Sequence, residues 1–301
     1  MVEAHEREGK QRMEKQRIFI DDILSNENMN RAYKQVIKNK GAAGIDGMEC
    51  NDLLSHLKVN GHQLRESIRN QSYKPMPVKR VEIPKDNGSK RKLGIPTVTD
   101  RMIQQAAAQV LTPIYERKFH TNSYGFRPGK SAQQAVLKAA EYMNEGYNWV
   151  VDIDLEKFFD TVEHDKMISI LNKEIKDGKT LSLIRKFLAS GVMVGEQMEE
   201  TEIGTPQGGN ISPLLANILL NELDWELESR GLRFVRYADD CIILVRSEKA
   251  ATRVMKSVTK YIENVLRLKV NKDKSRIGRP TEIQYLGFAF YYQFQEKKYR
   301  M

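Results

Sequence analysis

The chain has 301 residues, 40% of them apolar, and carries 49 Lys and Arg against 40 Asp and Glu, a net charge of +9. That length allows one large or two modest domains. No run approaches the roughly 18 apolar residues of a membrane span or the apolar segment of a signal peptide, so a cytoplasmic protein with no membrane partner is expected. Cys50 and Cys241 lie far apart without metal-ligand spacing, which argues against a disulfide framework or a zinc site.

Residues 1–17 are polar with charges of both signs and read as a disordered or fraying start. Apolar positions between 18 and 38 fall partly at helical spacing, which predicts two short helices broken near Ser25. Gly41, Gly44 and Gly47 mark a turn, and 52–70 reads as an amphipathic helix. Two strand-like runs follow, 78–84 and 90–96, and Asp86-Asn87-Gly88 between them is a hairpin signal. Lys79, Arg80, Lys85, Lys90, Arg91 and Lys92 make this hairpin basic, as either a solvated surface hairpin or one that grips a polyanion would be. A helix over 99–119, capped by Thr99 or Asp100 and disturbed at Pro113, leads to a loop, 120–129, holding Tyr124, Phe126 and Arg127. Loop aromatics serve as packing anchors or as stacking platforms for bases. Ser131 caps a helix to about Asn144.

In the run 149–155, strand alternation sends Val151, Ile153 and Leu155 to one face and Asp152 and Asp154 to the other. Helices over 156–171 and 179–189 follow, then a hairpin-like region, 191–203, with Glu196, Glu199, Glu200 and Glu202. The glycine-rich loop at 204–209 lacks the Lys-Ser/Thr of a P-loop and opens a helix at Ser212-Pro213 that ends at Gly231. Two β-branched runs between Phe234 and Val245 meet at Ala238-Asp239-Asp240, a tight hairpin with both aspartates at its tip. Asp favours turns for its own sake. Adjacent carboxylates also repel, however, and a hard divalent cation such as Mg2+ relieves that repulsion. If strand 149–155 lies beside this hairpin in one antiparallel sheet, Asp154, Asp239 and Asp240 converge. Two metal ions clamping a phosphoryl transfer need such a layout. A helix over 248–266 and strands over 268–275 and 284–290 complete the chain.

Tyr237-Ala238-Asp239-Asp240, preceded by Asp154 and by Thr205-Pro206-Gln207-Gly208-Gly209-Asn210-Ile211-Ser212-Pro213, resembles a reverse transcriptase. Within that superfamily the chain is similar, from about residue 20 onward, to proteins encoded by bacterial group II introns, which act as reverse transcriptases and splicing maturases. The resemblance implies an α+β polymerase right hand, with fingers and a palm whose small antiparallel sheet is backed by helices. It implies an N-terminal extension and fingers at 1–98, palm at 99–161, fingers again at 162–211 and palm at 212–301. It makes Asp154, Asp239 and Asp240 catalytic, and has Asp154, Asp239 and the Leu155 carbonyl hold two Mg2+ ions, with Mn2+ able to substitute. Asp152 would support these without ligating. Lys85, Arg91, Phe159, Gln207 and Lys274 would bind the nucleotide, Phe159 by excluding a 2′-hydroxyl. Lys79, Arg80 and Arg127 would contact RNA, and Tyr285 to Phe288 would lie near the primer end. The implied partners are an RNA template, a DNA primer, deoxynucleoside triphosphates and a group II intron RNA, with self-association open. The family's helical thumb has no counterpart in these residues, so the resemblance implies a fingers-palm piece that extends primers poorly. Two rival readings are a non-enzymatic splicing cofactor that grips intron RNA, and a retron or diversity-generating type of reverse transcriptase.

Overall fold

The computed structural model describes residues 19–84, 90–194, 197–199 and 208–301. The polar start at 1–17, the turn expected at 85–89 with Lys85, the acids Glu196, Glu200 and Glu202, and the 204–207 segment with Gln207 lie outside the described residues. In chain order the helices are α1 (Phe19–Leu24), α2 (Asn26–Asn39), α3 (Leu53–Arg69), α4 (Val98–Glu116), α5 (Ala132–Asn144), α6 (Phe158–Thr161), α7 (His164–Glu174), α8 (Gly178–Leu188), α9 (Ser212–Ser229) and α10 (Glu248–Asn264). The strands are β1 (Val78–Pro84), β2 (Lys90–Ile95), β3 (Trp149–Ile153), β4 (Val192–Val194), β5 (Gln197–Glu199), β6 (Arg233–Tyr237), β7 (Asp240–Val245), β8 (Arg276–Gly278), β9 (Gln284–Tyr285), β10 (Phe288–Ala289), β11 (Tyr291–Gln293) and β12 (Lys298–Arg300).

One compact unit comprises Met1–Ile114 and Glu163–Ser212. The break between α1 and α2 falls at Ser25, whose hydroxyl accepts the Asn28 amide at 3.3 Å and starts the second helix. The Asn28 amide group then bonds the carbonyls of Ile23 and Ala106, each at 2.9 Å, in a buried position that an apolar side chain could not satisfy. Helix α4 is capped by Thr97, not by Thr99 or Asp100. The Thr97 hydroxyl accepts the Asp100 amide at 3.1 Å and donates to the Asp100 carboxylate at 2.6 Å. Asp100 is buried and also takes the Tyr73 hydroxyl (2.6 Å) and the Met76 amide (3.2 Å), so it fastens the segment before β1 rather than a helix end. Pro113 sits inside α4 without ending it. Strands β1 and β2 pair from Lys79↔Ile95 to Pro84↔Lys90, and the sheet order is β2-β1-β4-β5.

The second unit comprises Tyr115–Val162 and Pro213–Met301. Its sheet has the order β6-β7-β3-β8, antiparallel throughout. Helix α5, started by a Ser131–Gln134 capping box, packs Ala135, Val136, Ala139 and Met143 with Val150, Val235, Ile242 and Leu244 of the sheet. Helix α10 lies along β3, β7 and β8. With helices against it, β7 is buried from Cys241 to Val245, a continuous apolar run rather than an alternating one. The helix expected over 156–171 is instead α6 and α7, separated because Val162 and Glu163 adopt extended backbone. Residues 271–275 turn rather than extend, because the Asn271 side chain accepts the amides of Asp273 (3.2 Å) and Lys274 (3.3 Å); the strand forms later, at β8. The run 284–290 is likewise a hairpin, β9 to β10, folded at Leu286 (φ 53°) and Gly287 (φ 80°). Among the described residues no helix is long and apolar enough to cross a membrane.

Candidate active site

Strand β3 pairs with β7 so that Asp152 faces Ile242 and Ile153 faces Cys241. Continuing that register by one residue sets Asp154 across from Asp240. Strands β6 and β7 close at Tyr237↔Asp240, so only Ala238 and Asp239 form the loop and Asp240 opens the strand. Ala238 has φ 55° and Asp239 does not share that region, the φ pattern of a type II′ turn. Gly125 approaches this loop so closely that a Cβ there would sit 2.2 Å from the Ala238 nitrogen.

Beneath the loop lies a residue that sequence reasoning passed over. Arg236 is fully buried in β6, and all of its N–H groups are used. Nε and Nη2 grip Asp224 at 2.7 and 2.6 Å, Nη1 donates to Asn217 Oδ1 (3.0 Å) and to the Ala238 carbonyl (2.7 Å), and Nη2 also reaches Ser123 Oγ (2.8 Å). Asn217 in turn donates to the Gly125 carbonyl at 2.8 Å. A buried bidentate pair fixes geometry well, because its planar fork tolerates little rotation. The available signal was an Arg between Val and Tyr in an apolar strand, matched by Asp224 within the apolar stretch of α9.

The backbone of Asp154 is held as firmly. Its amide donates to Ser275 Oγ at 3.1 Å, and its carbonyl accepts the Asn271 amide at 2.9 Å. Leu155 bridges Val270 through bonds made by its neighbours, the Glu156 amide to Lys269 at 2.7 Å among them, so the Leu155 carbonyl stands outside the ladder. Lys274 is exposed on the turn from Asn271 to Ser275 that hangs from Asp154. Asp152 pairs with Arg276 at 3.3 Å. Burial raises its carboxyl, Arg276 opposes that, and the Asp154 charge adds to it. Asp240 is pushed up to about 6 by partial burial and then by the charges of Asp239, Asp152 and Asp154. Because the residue is open to solvent, the three neighbouring charges deserve the greater weight. Among the described residues no three His, Cys, Asp or Glu side chains form a ready-made metal cluster. Two carboxylates and a backbone carbonyl beside an unrelieved negative charge are nevertheless a hard, all-oxygen donor set. Such a set fits a divalent ion whose remaining ligands are water and phosphate oxygens.

Phe159 is half-buried on α6 with its ring edge-on to buried Phe158, centroids 5.1 Å apart. Arg127 corrects an expectation. Its side chain is 7% exposed and locked to Glu116 through Nε (3.0 Å) and Nη2 (2.9 Å), with Nη1 on the carbonyls of His120 and Ser123. It fastens the loop before Gly125 and is not presented to RNA. In the first unit Lys79 is exposed and Arg80 half-buried on β1, and Arg91 lies on β2 opposite Ile83. The Gly208-Gly209 pair is explained by crowding: at Gly208 (φ 116°) a Cβ would meet the Gly94 carbonyl oxygen at 2.3 Å, and at Gly209 it would meet Gln104 Oε1 at 2.5 Å.

A model of the family "Reverse transcriptase (RNA-dependent DNA polymerase)" matches residues 83–290. Protein YkfC of Escherichia coli strain K12 is 32% identical, over 89% of this chain and 80% of its own length. Group II intron-encoded protein LtrA of Lactococcus lactis subsp. cremoris is 32% identical over 85% of this chain, which spans about half (54%) of LtrA. Among solved structures, a chain of the "Partial Cas6-RT-Cas1–Cas2 complex" superposes with a TM-score of 0.52 at 28% identity, covering 84% of this chain and 43% of that one. These matches fit the α+β fingers-palm fold of reverse transcriptases. The chain belongs to the reverse transcriptase family, in the branch encoded by group II introns.

Proposed function

We propose that the chain is an RNA-directed DNA polymerase that adds deoxynucleotides to a primer 3′-hydroxyl, and that it also binds a group II intron RNA as a maturase. The observation that carries the first part is the β3–β7 register, whose last pair, Ile153 with Cys241, lies next in sequence to Asp154 on one strand and Asp240 on the other; the Asp239 loop follows from Tyr237↔Asp240. In this reading the second unit is palm, and the first carries the fingers together with residues 99–114, which the resemblance assigns to the palm. Asp154, Asp239 and the Leu155 carbonyl would hold two Mg2+ ions. When bound, these supply positive charge that lowers the pKa of the attacking hydroxyl and neutralises departing pyrophosphate. Asp240 adds negative potential that draws the cations in, and Asp152, tied to Arg276, keeps the β3 carboxylates aligned. Lys274 and the fingers residues Lys85 and Arg91 would meet the triphosphate, Gln207 the nascent pair, and Phe159 the sugar edge. Lys79 and Arg80 would face RNA.

Single-nucleotide incorporation on an RNA template tests this. Wild type should extend the primer with Mg2+, while Asp154→Ala and Asp239→Ala should each lose about a thousandfold or more, the scale of removing a charge-stabilising group. Variants that extend normally would sink the assignment. A wild type that binds intron RNA tightly but incorporates nothing with Mg2+ or Mn2+ would support the splicing-cofactor reading instead.

A further inference from the structure

At the end of the palm sheet away from the aspartates, three arginines lie on or just past strands β6, β7 and β8 of the four-stranded sheet, and each sits over an aromatic ring. Arg233 opens β6 and lies 5.8 Å from the Tyr142 ring; Arg246, just past β7, lies 4.6 Å from Tyr147; Arg279, just past β8, lies 4.4 Å from Trp149. The register explains their common position. Arg233 pairs across from Leu244, Trp149 from Val245, and Val150 from Gly278, so all three arginines fall on one rim. Four strands spaced about 4.8 Å apart make that rim roughly 15 Å wide, and a similar distance along β3 separates it from Asp154.

Among the described residues no carboxylate makes an ion pair with any of the three. Glu282 accepts the backbone amide of Arg279 at 2.7 Å rather than its guanidinium, and Lys138, also over Tyr142, is paired with Glu141 at 2.7 Å. Arg246 and Arg279 are exposed, and two atoms of the rim, Arg233 Nε and Asn148 Oδ1, are buried without a partner. Arg279 Nη1 also donates to the Asn148 carbonyl at 3.3 Å, which leaves its other N–H groups without a carboxylate. A guanidinium held over a ring keeps N–H donors for phosphate oxygens.

We infer that this rim is a second nucleic-acid site, separate from the catalytic carboxylates, that takes the sugar-phosphate backbone of a structured RNA. The inference rests on the reading that the chain handles nucleic acid, yet it does not require polymerase activity. The test uses a 3′-blocked RNA hairpin as probe, with affinity followed by fluorescence anisotropy as salt is varied. Arg246→Glu with Arg279→Glu should weaken binding about tenfold or more and lower the slope of log affinity against log salt by about two, since each arginine would no longer neutralise its phosphate. Arg246→Lys with Arg279→Lys should keep the wild-type salt slope, since the charge is retained, and should weaken binding only a few-fold through loss of the planar fork, showing that charge and not fold was lost in the Glu pair. Asp239→Ala should leave hairpin affinity unchanged whether or not wild type incorporates nucleotides, which separates this site from the polymerase reading. Unchanged affinity and slope in the Glu pair, or loss of hairpin binding in Asp239→Ala, would overturn the inference.

Discussion

A guanidinium without water around it is tolerable only beside an acid, and Arg236 has Asp224 at 2.6 Å with neither side chain exposed. Arg236→Met should therefore destabilise the protein by about 3–5 kcal/mol, because Asp224 is left charged and buried. The double change Arg236→Met with Asp224→Leu should recover most of that loss in urea unfolding, yet not activity, since the Ala238 carbonyl no longer has its donor. A double variant no more stable than the single would refute this account. At Asp240 the folded carboxyl titrates near 6 against an ordinary 3.8, so its protonated form favours folding. That contribution is whole below about 3.8 and is lost as pH rises through about 6. Asp240→Asn should flatten the loss and, at pH 8 in chelator, stabilise the metal-free protein by about 1 kcal/mol, a figure discounted for solvent around the exposed carboxylate. A melting temperature in the variant no higher than wild type's would contradict this. The aspartates were legible because alternation and turn chemistry are local signals. Arg236 was not, since its partners Ser123, Asn217 and Asp224 come from distant segments. Arg127 was misread for a similar reason: a loop arginine looks free until Glu116, at the end of the preceding helix, is placed beside it.

The β6–β7 hairpin is held by elements that share no sequence with it. The 120–125 segment runs alongside β6, with the Arg236 amide donating to the Asn122 carbonyl at 3.0 Å and the Tyr124 amide to the Arg236 carbonyl at 2.8 Å. It brings Gly125 against the Ala238 nitrogen. Gly125→Ala should force the loop to move, costing about 2 kcal/mol in stability and, since a misplacement of 1 Å at a reacting group costs about 100-fold, a similar factor in incorporation rate. Full activity in that variant would show that the loop is not fixed from this side. Helix positions were readable from periodicity and caps, as the Ser131 cap shows. What periodicity could not reveal was where a polar side chain diverts the backbone, as Asn271 does at 271–275. The hairpin at Leu286-Gly287 was hidden in a run that alternates well enough to pass for one strand.

Over the whole molecule, the chain passes between its two units after Ile114, Val162 and Ser212, so each unit is assembled from separated stretches of sequence. The order of motifs carried the family, while the rim of arginines was invisible because its members, 233, 246 and 279, become neighbours only through strand pairing. A basic chain with a compact acidic site suits a polyanion drawn to the protein at large and reaching carboxylates only through metal. The measurement that tests this most directly is anomalous scattering from crystals soaked in Mn2+ with a primer, template and nucleotide. Peaks between the carboxylates of Asp154 and Asp239 are the outcome the account requires; peaks elsewhere, or none there while nucleotide is incorporated, would contradict it.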